Sequence, residues 1–174
     1  MRQLLLIFIL SIFIFAKSIN IPENFQANFT QIITNPKKKV INYSGKVYFS
    51  EASKLKWEYK KPTKKEVCTN GLELLVVDHD LEQVSKYNIS KGFNLSEILK
   101  KAKYHSKKLY LADYDGKKYT IQVDKNNRLQ AVAYFDDLDN KVQIAFRKVK
   151  YGKGKLSSKK MTCSYPKSYD IIRG

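Results

Sequence analysis

Histidine, cysteine and acidic residues are scarce in this sequence, and each scarcity removes a class of chemistry. Only two histidines occur in 174 residues, His79 and His105, and both stand apart from the two cysteines, Cys68 and Cys163, so no metal-ligand spacing exists. No Gly-rich phosphate loop appears among seven glycines, and no Ser-His-Asp order supplies a nucleophile with its base. His79 lies in the turn Asp78-His79-Asp80, where exposed hydrogen bonding is the expectation. Asp136, Asp137 and Asp139 form the one acidic cluster, but their place between two apolar runs reads as a solvated turn and not as a calcium or general-acid site. An enzyme is not expected, nor is a metal or other cofactor.

A long hydrophobic run occurs only once. Residues 4–15 are apolar apart from Ser11, with Arg2 ahead of them and Ala16-Lys17-Ser18 behind, which places small residues at the −3 and −1 positions of a cleavage site. This predicts a secretory signal peptide over 1–18 and a single mature domain over 19–174. The run is shorter than the ~20 apolar residues of a spanning helix, and no cysteine stands near its end to accept a lipid. The product is expected to be soluble in an exported compartment.

The acid shortage leaves 33 Lys and Arg against 16 Asp and Glu, a net charge of +17. Without Arg2 and Lys17 it is 17 − 2 = +15. The lysines are spread along the chain in pairs and one triple, Lys37-Lys38-Lys39. Export makes nucleic acid an improbable partner, so anionic headgroups at a membrane surface, touched transiently, or acidic proteins are the better candidates; a merely solvated face is the plain alternative. Cys68 and Cys163 lie 163 − 68 = 95 positions apart and are either a disulfide of the exported chain or two buried thiols.

Hydrophobic spacing predicts strands through most of the chain. Residues 24–33 fit a helix face through Phe25, Phe29, Ile32 and Ile33, but the alternation of Phe25, Ala27, Phe29 and Ile33 with polar residues favours a strand. Strand 40–50 carries Tyr43, Val47 and Phe49 on one side, with Gly45 as a bend or bulge. In 54–60, Leu55, Trp57 and Tyr59 take one face and Lys54, Lys56, Glu58 and Lys60 the other, a division of grease from water ended by Pro62. The pair Asn70-Gly71 joins 66–69 to 72–78, the latter with Leu74 and Val76, as a hairpin, and 83–89 closes the first half.

The period then changes. Leu95, Ile98, Leu99 and Ala102 follow helical spacing, with Asn94 as N-cap and Glu97 three residues on. Strands return at 109–113, 118–123, 128–135 and 141–149. Their greasy side is read as Leu109, Leu111, Tyr119, Ile121, Val123, Leu129, Ala131, Ala133, Val142, Ile144 and Phe146. A polar loop at 152–160 precedes a last extended segment, 161–172.

A meander of about ten strands has more apolar face than one short helix covers, so the predicted fold is mainly β with few helices. It is a strongly curved antiparallel sheet, either a closed barrel or an open one with the helix across its mouth. The Trp57 face is then either an ordinary core wall or the lining of a space for an apolar ligand.

The order of Phe25-Gln26-Ala27-Asn28-Phe29-Thr30-Gln31, Leu55-Lys56-Trp57-Glu58-Tyr59 with Pro62, Asn70-Gly71, Asp80-Leu81-Glu82-Gln83, Tyr119-Thr120-Ile121-Gln122-Val123, Leu129 and Pro166 resembles the LolA-type carriers of outer-membrane lipoproteins. The resemblance implies a curved antiparallel sheet forming an incomplete, half-open β-barrel covered by a short helical lid, and a periplasmic chaperone, active as a monomer. It would take lipoprotein acyl chains from an inner-membrane ABC-type releasing complex and pass them to an outer-membrane acceptor. It implies an acyl-chain cavity at Phe25, Phe29, Val47, Phe49, Leu55, Trp57, Tyr59, Leu74 and Val76, and a lid helix at Leu95, Ile98, Leu99 and Ala102. Leu55 falls where the family has an apolar, often aromatic, cavity residue. The sequence departs from the family in two places. Glu51-Ala52 stands where an Arg-Pro pair supplies the lid-closing arginine, and only residues 19–22 precede the first matching strand, where the family has a full helix. Glu51 is expected to pair with a lysine of the 100–108 region. The competing readings are a carrier of glycolipid or another amphiphile, and an exported interaction module whose cavity is too small for an acyl chain.

Overall fold

Phe25, Ala27 and Phe29 resolve as the inner face of a strand, and that strand is the spine of the sheet. In the computed structural model, which describes residues 18–51, 53–89 and 94–173, β1 (Asn24–Thr34) pairs along its length with β2 (Val40–Ser50) on one side and β11 (Lys141–Gly152) on the other. The signal peptide expected over 1–18, apart from Ser18, lies outside the described residues.

From β2 the sheet continues through β3 (Lys54–Lys61), β4 (Lys65–Thr69), β5 (Glu73–Asp78) and β6 (Gln83–Asn88) to β12 (Asp170–Arg173). From β11 it continues through β10 (Leu129–Phe135), β9 (Lys117–Val123) and β8 (Leu109–Tyr114) to β7 (Lys103–Ser106). Neighbours are antiparallel except β12, which runs parallel to β6. Helix α1 (Leu95–Lys101) crosses between the halves and packs on β8, while α2 (Ser158–Met161) lies over β2 and β3.

The sheet is open, since β12 and β7 end the strand order unpaired with each other, and it is strongly curled. Val67 on β4 and Val132 on β10 border one cavity although five strand spacings separate them. Flat, that is roughly 24 Å. Gly45 helps the bend. The β2–β3 register shifts between Ser44 and Gly45, and a Cβ at this position would collide with the Glu58 carbonyl oxygen.

Two apolar clusters result, one on each side. The large one fills the inner face with Phe25, Phe29, Val47, Phe49, Ile121 and Val123, joined by Ile98 and Leu99 of α1 and by Ile19. The small one lies outside, where Cys68, Val77, Val84 and Cys163 pack with Leu75, Tyr165 and Tyr169. Cys68 and Cys163 form a disulfide that ties the C-terminal segment to β4.

Several expectations need correction. Twelve strands and two helices occur among the described residues, with β7 and α2 additional to the predicted set. The segment 161–172 is mostly irregular, and only β12 is a strand. On β8 the inner residues are Tyr110 and Ala112, and Leu111 is exposed, because Tyr110 lies opposite Ile121 and Ala112 opposite Tyr119. Both faces of Leu-Tyr-Leu-Ala are apolar, so alternation could not choose between them. On β10 a register shift between Leu129 and Ala131 turns Val132 and Tyr134 inward in place of Ala131 and Ala133.

Candidate functional site

The inner face does not fill completely. A cavity of about 150 Å³ remains between α1 and the sheet. One wall is Leu55, Trp57, Tyr59 and Val67, all on alternate positions of β3 and β4, with Phe25 beside them. The facing wall is Val132, Tyr134, Ile144 and Phe146 from β10 and β11, with Gln31, and Leu95 of α1 closes the space. Leu95 is held there because Asn94 caps the helix, its side-chain oxygen accepting from the Glu97 amide at 3.1 Å. Glu97 turns its carboxylate to Lys100, not back to the cap.

The aromatic wall is built in two layers. Phe29, which is buried behind the lining, meets the edge of Trp57 with ring centroids 4.7 Å apart and that of Tyr59 at 5.1 Å. Phe49 stacks on Phe25, and Val47 is completely buried. Of the residues expected to form a cavity, Phe25, Leu55, Trp57 and Tyr59 border it, and Phe29, Val47 and Phe49 support it from behind. Leu74 and Val76 share the face of Leu55 and Trp57 by register but lie beyond it toward the sheet edge, where Leu74 borders a separate groove with Tyr87 and Arg173. In the lid, Leu95, Ile98 and Leu99 are buried and Ala102 packs partly on the core.

Gln31, Val67, Val132, Tyr134, Ile144 and Phe146 also line the space, and sequence patterning does not single them out for it. Ile144 and Phe146 are legible as inner residues, but nothing local says that β11 faces β3 across a space. Val132 and Tyr134 are hidden by the bulge in β10.

One end of the cavity is polar but uncharged. The Tyr59 hydroxyl donates to Gln31 Oε1 at 3.1 Å. Burial pushes the Tyr59 hydroxyl far above its ordinary value, with Tyr134 and Tyr43 adding to the effect. Burial likewise raises Tyr134 and pushes Tyr119 up to about 12. These groups stay neutral at physiological pH, so the cavity offers an apolar surface edged by hydroxyls, with no charge or nucleophile among its lining residues.

Along its full length the chain is 34% identical to the outer-membrane lipoprotein carrier protein of Campylobacter jejuni, over 99% of this chain and 100% of that protein. The chain belongs to the LolA family. The family model described as outer membrane lipoprotein carrier protein LolA matches residues 22–99. A second relative of this LolA chain, the outer-membrane lipoprotein carrier protein of Helicobacter hepaticus, is 30% identical over 86% of this chain and 83% of its own. In fold, the LolA chain is similar to the crystal structure of an uncharacterized conserved protein from Thermus thermophilus. That likeness has a TM-score of 0.54 at 13% identity, covering 88% of this chain and 91% of the other.

This LolA chain differs from expectation at Glu51. The carboxylate pairs with Lys54 and Lys155, not with a lysine near α1, because the segment after β11 returns beside the β2–β3 turn. Those lysines, Lys155 first, hold it below its ordinary carboxylate value. Residues 19–22, just before the first strand, are in neither helix nor strand. Ile19 enters the core and the Asn20 amide donates to the Asn127 carbonyl at 2.8 Å.

Lys56, which alternation assigns to the water-facing side, is only 4% exposed. The C-terminal segment covers it. Its ammonium donates to the Thr162 carbonyl at 2.8 Å and pairs with Glu66 at 3.1 Å and Glu58 at 3.5 Å. Glu66 also lies near both cysteine sulfurs, but the disulfide consumes the thiolates a metal would need. No helix among the described residues is long and apolar enough to cross a membrane.

Proposed function

We propose that the protein is a non-enzymatic periplasmic carrier of lipoproteins, exported by the leader at 1–18 and working as one monomeric domain over 19–174. It receives acyl chains from an inner-membrane ABC-type complex and delivers them to an outer-membrane acceptor. The observation that carries this reading is full-length likeness to relatives named as outer-membrane lipoprotein carrier proteins. The helix-capped apolar cavity supports it. So does the disulfide, a bond of oxidising compartments.

The cavity's volume sets a condition on the mechanism. A space of about 150 Å³ accommodates a group the size of benzene, not a long acyl chain. By itself that size matches a filled interaction module; family membership weighs the other way. Loading therefore requires α1 to move off the sheet, carrying Leu95, Ile98 and Leu99 with it. Each methylene buried stabilises by roughly 0.8 kcal/mol, so one chain contributes on the order of 10 kcal/mol against that cost and the cost of ordering the chain. Phe25, Leu55, Trp57 and Tyr59 are the residues the chain would meet first.

Mass spectrometry of material copurifying with the protein from periplasm tests this. Acylated lipoproteins are expected with the native chain and not with Leu55→Glu. Since a charge at buried Leu55 threatens folding, Val67→Phe, which fills the cavity from its wall, is the second variant and is expected to lose cargo while folding normally. Free lipid or glycolipid alone would replace the cargo in this proposal, and no apolar ligand at all would return the cavity to a packing defect.

A further inference from the structure

The strand registers gather five turns at one end of the sheet, β1–β2, β3–β4, β5–β6, β8–β9 and β10–β11. Their charges divide unevenly. Because β2 pairs with both β1 and β3, with Thr34 opposite Val40 and Ser44 opposite Lys61, the first two turns are neighbours, the β1–β2 turn projecting past the end of β3 by residues 40–43. They carry Lys37, Lys38, Lys39, Lys60, Lys61 and Lys64, all exposed, and none pairs with a carboxylate among the described residues. No acidic residue occurs from 24 to 50. Asp80 reaches this edge through the Lys64 amide at 2.9 Å. On the other side of the same end, Asp136 is spent on its own turn and Asp137 pairs with Lys117 at 3.0 Å.

Apolar groups stand among these lysines. Val40 is 54% exposed and Ile41 47%. Ile41 lies opposite Ile33, which packs on the inner cluster, and one inward position along β2 is Tyr43, whose ring meets Tyr59 at 5.6 Å. Tyr59 borders the cavity. Ile41, Tyr43 and Tyr59 thus form a line from the lysine-bearing edge to the cavity wall, beside the Tyr59–Gln31 hydrogen bond.

We propose that this edge, the β1–β2 and β3–β4 turns, docks on an anionic lipid bilayer, with its lysines among the headgroups and Val40 and Ile41 at the boundary of the acyl layer. The proposal rests on the carrier reading and adds where the membrane is met. A bilayer is favoured over an acidic protein because Val40 and Ile41 stand exposed among lysines that pair with no carboxylate, a combination suited to headgroups and the acyl boundary together.

Flotation of the purified, cargo-free protein with vesicles tests this without lipoprotein, so its failure leaves the carrier reading standing. Binding is expected to vesicles of phosphatidylglycerol with phosphatidylethanolamine, to weaken with salt, and to be absent with phosphatidylcholine alone. Each lysine near such a surface changes partitioning about fivefold, so Lys37→Gln with Lys38→Gln and Lys39→Gln lowers it about a hundredfold. The same charge change at the opposite end, Lys107→Gln with Lys108→Gln and Lys125→Gln, should cost no more than a few-fold. Val40→Ser with Ile41→Ser should weaken binding and leave its salt dependence intact. Equal losses from the two lysine triples would overturn the proposal in favour of the chain's overall charge. So would an acidic protein cross-linked through Lys38 in the absence of any vesicle affinity.

Discussion

Strand β3 borders two environments built in opposite ways. Its inner side chains, Leu55, Trp57 and Tyr59, edge a cavity that aromatic contacts and a seven-residue helix close without a covalent bond. Its outer side chain Lys56, one position away, is locked under the C-terminal segment by two carboxylates and a carbonyl, beside a disulfide. The inner contacts are dispersion and burial, which yield gradually and reform. The outer ones are directional and cross-linked. In the proposed loading step α1 leaves the sheet while the wall behind it stays intact, and this division is consistent with that.

The strongest way to break the contrast is to remove the cross-link. Cys68→Ala with Cys163→Ala opens a loop of 95 residues and is expected to cost roughly 4–5 kcal/mol in the chain-entropy model, read as a lower urea midpoint. An unmoved midpoint would mean that the C-terminal segment is not an anchor. Next comes Lys56→Met, which leaves Glu58 and Glu66 facing each other over a covered site. Those carboxylates keep part of their water, so a loss of about 2 kcal/mol is expected, below the range for a fully buried pair. Adding Glu66→Gln should recover part of it in the same denaturation measurement.

Asn94→Ala acts on the soft side. Loss of the cap should destabilise α1 by about 1 kcal/mol and speed amide exchange of residues 95–101, with β4–β6 unaffected. Loss of protection spreading to β4–β6 would show the two sides to be coupled. The smallest effect is acid sensitivity, which both sides share. Burial pushes Asp78 upward, but the Lys65 ammonium at 3.1 Å and the Leu81 and Asp80 amides together outweigh it, and the carboxyl ends below its ordinary value. Asp136 is lowered likewise, burial being outweighed by hydrogen bonds from Asn140 and Leu138. A carboxyl lowered by folding stabilises above its unfolded value of about 3.9 and loses that contribution as pH falls through the folded value. Stability should therefore be flat near neutrality and fall below about pH 4, less steeply in Asp78→Asn and Asp136→Asn, as followed by circular dichroism.

Much of the molecule was legible because it is written locally. The Asn70-Gly71 hairpin, the Asn94 cap and the alternation in β1, β9 and β11 each depend on residues within a few positions, so they survive without knowledge of the fold. The site was half legible. Leu55, Trp57 and Tyr59 announce an inner face by contrast with their charged neighbours, but their partners across the cavity, Val132, Tyr134, Ile144 and Phe146, are set by how far the sheet curls. Lys56 misled for the same reason. Its neighbours predict a wet face, and the cover comes from Thr162, far along the chain.

The sequence by itself therefore determined most of the element order, the main hairpin turns, helix α1 with its cap and the basic edge of the β1–β2 turn, all products of backbone preference and short-range pattern. Only the tertiary structure decided which face of Leu109-Tyr110-Leu111-Ala112 turns inward, that Cys68 meets Cys163, that Glu51 answers Lys155, and that a small space survives behind Trp57. Those outcomes depend on contacts between distant segments, where cross-strand register and the curl of the sheet choose among faces that local hydrophobicity leaves equal.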